Sequence, residues 1–210
     1  MGLLLTAVAV IGILHTLVPD HWAPIAVVAR QQGWTRRHTA WAAAGAGLGH
    51  TISTLLIGAI AWVAGIAAAV RYGHDINIIS GLALIAFGAW IAISSLRQAR
   101  ETDQQLETEA AEKAHTLATR TSIMLIVGSS PSVEALPTFF AAAPFGVYAV
   151  LLLALVFAAT TIGTYVVTTL VSAAGLERLR ISALERYGEV ISGAFVATVG
   201  AIFLYVGARS

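Results

Sequence analysis

Apolar residues fall along this chain in six long blocks, and the charged residues collect in the joints between them. A spanning helix needs roughly 20 mostly apolar residues. The blocks cover residues 3–29, 39–67, 76–96, 121–142, 146–174 and 188–207, and each predicts a membrane helix. The first joint holds Arg30, Arg36, Arg37 and His38, and the second Arg71, His74 and Asp75. The third runs from Arg97 to Arg120 and is rich in Glu, Gln and Thr. The fourth, around Pro144 and Gly146, carries no charge, and the fifth holds Glu177, Arg178, Arg180, Glu185 and Arg186. The predicted fold is all-α, a polytopic membrane helix bundle of about six transmembrane helices.

The long third joint divides the chain. Residues 1–97 form a first three-helix half, 98–120 a charged cytoplasmic linker, and 121–210 a second three-helix half. Three spans is an odd number, so a duplicated half would be inverted relative to the other, giving a 3+3 inverted repeat. The halves echo each other: Pro19 and Pro24 interrupt the first helix of one, and Pro131 and Pro137 that of the other. Each pair brackets an acid, Asp20 or Glu134.

Composition agrees with lipid as the solvent. Of the 210 residues 58% are hydrophobic and 11% charged, with a mean hydropathy of +0.81. A water-soluble surface needs more polar groups than that. The opening run lacks the basic start of a signal peptide and reads as a retained helix. Ten of the 12 basic residues lie in the first, third and fifth joints. The positive-inside rule makes those joints cytoplasmic and both termini external, in the cell (plasma or inner) membrane. The basic residues are too few and too scattered to bind nucleic acid. The expected partners are the lipid bilayer and a metal ion, and a homo-oligomer is compatible with the chain.

There are no cysteines, which excludes disulfides, thiolate metal sites and thiol relays. The one lysine, Lys113, lies in a joint, which excludes a retinal protein. What remains is a set of ionisable residues inside the apolar blocks, where each costs a few kcal/mol and usually marks a site. His15, Asp20 and His21 occur in the stretch HTLVPDH. On a regular helix the latter two would point about 140° and 240° away from the first. Pro19 and Pro24 lack the N–H that would bond the carbonyls of His15 and Asp20. Unwinding between the prolines would let the side chains converge beside free carbonyls, which membrane proteins tolerate where backbone lines a cavity.

His50 lies mid-block in GAGLGHTIST, behind Gly45 and Gly49, whose spacing lets a neighbouring helix approach. That neighbour is expected to be the first helix. Thr51, Ser53 and Thr54 are placed to fix the His50 tautomer or support it from behind. Glu134 is the acid deep in the second half, within VGSSPSVEALP, while Glu189 lies at the edge of the last block. Pro131 and Pro137 should free the carbonyls of Val127 and Val133. Ser130 and Ser132 offer hydroxyls at the same depth, and Thr161 does so in the fifth block. The tryptophans read mostly as interfacial anchors. Imidazole with carboxylate suits nickel, cobalt, zinc, iron or manganese, and the missing sulfur argues against copper(I).

These residues resemble the signatures of the nickel/cobalt transporter family. The first is His15, four residues, then Asp20 and His21; the second is Leu48, Gly49, His50 and Thr51; the third runs from Gly128 to Glu134. The resemblance implies a secondary transporter of Ni²⁺ or Co²⁺, not an enzyme. By it His15, Asp20, His21, His50 and Glu134 are metal-binding positions. Beside them Ser130, Ser132, Thr51 and Thr161, read from their place in the blocks, are weaker candidates to line the path. Ser130 stands where the family has Asp, and FAATTIGT, from Phe157 to Thr164, has no counterpart to a later acidic signature. Long members have eight spans, so the chain is closer to the short urease- or hydrogenase-associated and efflux relatives. The divalent ion is cargo rather than a resident cofactor. The alternative is an intramembrane metal-dependent hydrolase, with zinc held by the same His/Asp set to activate water. An acyltransferase using His15 and Asp20, and a bis-histidine haem protein, are weaker fits to the same residues.

Overall fold

The computed structural model describes residues 1–101, 131–175 and 182–207. Among them there is helix and no strand. Helix α1 (Gly2–Thr16) is followed by α2 (Pro19–Gln31), α3 (Arg36–Tyr72), α4 (Ile76–Glu101), a short α5 (Leu136–Ala141), α6 (Val147–Ala173) and α7 (Ser182–Gly207). Helices α3, α4, α6 and α7 are long and apolar enough to cross a membrane, and α1–α2 passes the same test as a pair bent by 47°. That gives four spans, or five with the bent pair counted as one. Their outer faces carry Ile52, Leu56, Ile60, Leu82, Leu151 and Leu155, all exposed. Apolar side chains with no protein to cover them are at home in hydrocarbon.

Five of the six predicted blocks coincide with α1–α2, α3, α4, α6 and α7. The block at 121–142 differs. Residues 121–130 and most of the linker at 98–120 lie outside the described residues. Residues 131–145 form no long helix but a chain of short pieces: a 3-10 turn (Val133–Ala135), α5, and a second 3-10 turn (Ala143–Phe145). Pro131, Pro137 and Pro144 explain it, since each removes a helical donor within a few residues of the next. Gly146, at φ 81°, then turns the chain into α6.

Glycines set how closely the elements approach. A Cβ on Gly58 would stand 3.0 Å from the Phe139 ring, and one on Gly65 would stand 2.5 Å from the Phe140 carbonyl. The broken stretch therefore rests directly on α3. Helices α4 and α7 meet backbone to backbone: a Cβ on Gly88 would lie 2.5 Å from Ala197 N, and one on Gly200 2.7 Å from Ile85 N. Helix α1 lies against both α6 and α7. Its Leu4, Ala7, Val8 and Ile11 join Leu84, Phe139, Leu153, Phe157 and Val196 in the main core.

Candidate metal site

The break between α1 and α2 creates the site. Expectation put the unwinding between Pro19 and Pro24. The structure puts it one step earlier, at Leu17 and Val18, where Val18 is extended (φ −63°, ψ 132°). Pro19 opens α2 as its first residue, where the missing N–H costs nothing. Pro24 sits inside α2. The His15 carbonyl is not left free as the proline argument predicted. The Val18 N–H closes on the His15 carbonyl at 3.2 Å. Trp22, 2% exposed, donates its indole N–H to the Leu17 carbonyl at 3.0 Å. Trp22 is thus a buried cap on the broken end, not an interfacial anchor. In the second half, the Leu136 N–H takes the Val133 carbonyl. Tighter turns thus take the His15 and Val133 carbonyls that the prolines were expected to free, while Val127 lies outside the described residues.

Three of those side chains are histidines from three segments. The His15 and His21 rings lie 4.5 Å apart between centroids, His15 and His50 5.4 Å, and His21 and His50 5.2 Å. One ligand nitrogen from each falls within 4.8 Å of the others. All three are buried, at 7%, 3% and 0% exposure. His50 stands 14 residues into the 37-residue α3, well inside a helix long and apolar enough to cross a membrane.

Carboxylates flank the imidazoles. Asp20 Oδ1 lies 3.5 Å from His21 Nε2, with the Asp20 side chain 41% exposed, so it stands at the rim. Glu134, 5% exposed, places Oε1 3.3 Å from His15 Nδ1. The five metal positions expected from sequence therefore come together. Two residues join that sequence reading missed. The Tyr165 hydroxyl lies 3.2 Å from His21 Nδ1, and its ring packs against His50. Glu189 Oε1 lies 3.8 Å from His15 Nδ1. The available signals were a tyrosine in mid-span, where interfacial tyrosines do not belong, and a carboxylate past the start of the last helix.

The weaker expectations divide. Ser132 donates its hydroxyl to Glu134 Oε2 at 2.9 Å and holds that carboxylate. The Thr54 hydroxyl donates to the His50 carbonyl at 2.9 Å and accepts the Ser132 N–H at 2.9 Å. It ties α3 to the Glu134 turn by backbone. Thr51 and Thr161 are buried, and neither hydroxyl has a hydrogen-bond partner among the described residues. Thr161 shares the α6 face of Phe157 and Tyr165, one turn away on each side, and both touch His50. Ser130 lies outside the described residues. The close approach expected at Gly45 and Gly49 occurs at Gly47, whose Cβ would stand 3.2 Å from Ile162 Cα. The helix it admits is α6, while the first helix reaches His50 through its histidines.

The donor set is nitrogen-rich at the centre and carboxylate at the edges. Neutral imidazoles with their second nitrogens held by a hydroxyl or carboxylate are the arrangement of a metal ligand with its supporting partner. A first-row divalent ion matches it in ligand type. A search with protein-family models, with curated proteins and with solved structures finds no match to the chain.

Proposed function

We propose that this chain is a secondary transporter of divalent transition-metal ions, with nickel or cobalt favoured, and that His15, His21 and His50 bind the ion in mid-passage. One observation carries the reading: three buried histidines from three helical segments converge at membrane depth. Imidazoles there are costly unless something uses them. The ion sheds water to the three nitrogens, and Asp20 and Glu134 balance its charge. Ni²⁺ and Co²⁺ are favoured by the resemblance to the nickel/cobalt transporter signatures; imidazole and carboxylate ligands by themselves suit several first-row ions.

The finer architecture belongs to the same proposal. The full chain crosses the membrane six times as a 3+3 inverted repeat, with both termini outside. The two broken elements, α1–α2 and residues 131–141, are the repeat-related parts that meet at the site. Such pairs of interrupted helices suit alternating access around a fixed midplane position. A hydrolase would need a standing open position for water beside the metal. The ring contacts of His50 with Phe157 and Tyr165 crowd the centre with apolar surface instead.

The test is calorimetry of Ni²⁺ and Co²⁺ with the purified full chain, beside His15→Ala and His50→Ala, followed by flux into vesicles. Micromolar or tighter binding, lost in His15→Ala and weakened at least tenfold in His50→Ala, together with metal flux, is the expected result. A wild type that binds neither ion, or variants that bind as well as it does, refutes the reading.

A further inference from the structure

His15 belongs to two clusters at once. One is the histidine trio. The other is His15 with Glu134 and Glu189, whose ligand atoms also lie within 4.8 Å of one another. The second cluster is organised by two serines that act alike. Ser132 Oγ donates to Glu134 Oε2 at 2.9 Å, and Ser95 Oγ donates to Glu189 Oε2 at 2.8 Å. In each carboxylate that leaves Oε1 directed at His15 Nδ1, at 3.3 Å and 3.8 Å. His15 itself is 7% exposed, and neither ring nitrogen has an aligned hydrogen-bond partner among the described residues. A buried imidazole facing two held carboxylate oxygens is a donor set suited to a first-row divalent ion. Ligand atoms around a first-row ion stand about 3–4 Å apart when bonds are near 2.1 Å, so closure needs only small side-chain movements.

We infer that His15, Glu134 and Glu189 form a second ion position, and that the ion passes between it and the histidine trio by changing nitrogens on His15. The inference rests on the transport reading above. Nδ1 faces the carboxylates, which leaves Nε2 for His21 and His50. A neutral imidazole has one lone pair and one N–H. When Nε2 holds the ion, Nδ1 carries the proton and faces Glu134. When Nδ1 holds the ion, the proton sits on Nε2. The two positions therefore exclude each other, and the proton count is unchanged by the exchange. At the second position the two glutamates would face the ion directly and compensate its charge.

The second position also leads outward. The Glu189 side chain is 26% exposed against 6% for Glu134. Ser95 precedes Arg97 by two residues and Glu189 follows Arg186 by three, so both lie toward the basic third and fifth joints. The ion thus leaves or arrives on the side of those joints through an oxygen-rich position, which releases it more readily than three imidazoles do.

The experiment is Co²⁺ titration of the full chain in detergent, read by calorimetry and visible absorption, for wild type, His50→Ala and His50→Ala/Glu189→Gln. Gln at 189 keeps an acceptor for Ser95. Wild type should saturate at one Co²⁺. His50→Ala should still bind one, more weakly and with an oxygen-rich spectrum. The double variant should lose about tenfold or more of that residual affinity. His21→Ala replaces His50→Ala if the latter does not fold. Two Co²⁺ per wild-type chain overturns the shared imidazole. A double variant equal to its parent, or a single variant that binds nothing beside a wild type that binds, overturns the second position and leaves the trio standing. No Co²⁺ bound by wild type overturns both.

Discussion

Replacing Tyr165 with Phe isolates the support that α6 gives to the metal site. Tyr165 is fully buried and its hydroxyl is 3.2 Å from His21 Nδ1. Phe keeps the ring against His50, Ile25 and Val28, so the packing volume barely changes. What is lost is one buried hydrogen bond, about 1 kcal/mol of fold stability. The effect on metal should be larger. With Nδ1–H donated to Tyr165, His21 presents Nε2 to the ion in a fixed tautomer and ring orientation. Removing such a partner typically costs 10–100-fold in metal affinity, or about 1.4–2.7 kcal/mol. Calorimetry with Ni²⁺ measures the affinity, and thermal unfolding without metal measures the fold. The expected outcome is a melting temperature close to wild type and a dissociation constant raised by one to two decades. Unchanged affinity would refute the argument, because His21 would then not ligate through the nitrogen opposite Tyr165. An equal loss in both measurements would make Tyr165 a core residue and nothing more.

Further outcomes follow from other contacts. Thr54→Val removes the acceptor of the buried Ser132 N–H and should cost about 1–3 kcal/mol in thermal unfolding. It should also weaken metal binding, by loosening the turn that holds Glu134. Gly88→Ala should destabilise the protein although Ala is the better helix former by about 1 kcal/mol. Its Cβ would meet Ala197 N at 2.5 Å and Gly193 O at 2.6 Å, and backbone cannot rotate away. Overpacking of this kind costs about 1–3 kcal/mol, so a raised melting temperature would contradict the close approach. Metal affinity should fall as pH drops through the ordinary histidine range near 6.5, since protons compete for the same nitrogens. Binding that stays constant from about pH 8 to pH 5 would exclude imidazole ligation.

Hydrophobic block length made α3, α4, α6 and α7 legible, because lipid imposes one length on every crossing helix. The histidines were legible for the complementary reason: ionisable groups inside apolar blocks are costly and stand out. The break in the first span was legible from Pro19, but its register was not. Proline is unfavourable within a helix and welcome at its first turn, so the chain unwinds before Pro19 instead of after it. Residues 131–145 read as part of a span because apolar content says nothing about how closely spaced prolines partition a helix. Glu189 was read as a boundary residue, and the apolar stretch of α7 does begin at Tyr187; what sequence hid is that the helix itself starts at Ser182, so Glu189 is held on regular helix beside Ser95. Tyr165 was hidden among aliphatic neighbours. Its role depends on which α6 face meets α2 and α3, and Gly47 decides that through a contact visible only in three dimensions.

Helices α4 and α7 touch through Gly81 and Gly88 on one side and Gly193 and Gly200 on the other. Each pair is seven residues apart, two turns, or about 10.5 Å along the axis. The contact is a rack with bare notches: a Cβ at each of the four glycines would meet the backbone of the opposing helix within 3 Å. One helix cannot creep past the other by a fraction of a turn, and it cannot roll without lifting off at both notches together. Any cycle of opening and closing must then carry α4 and α7 as a single beam, with Ser95 and Glu189 riding on it in fixed relation.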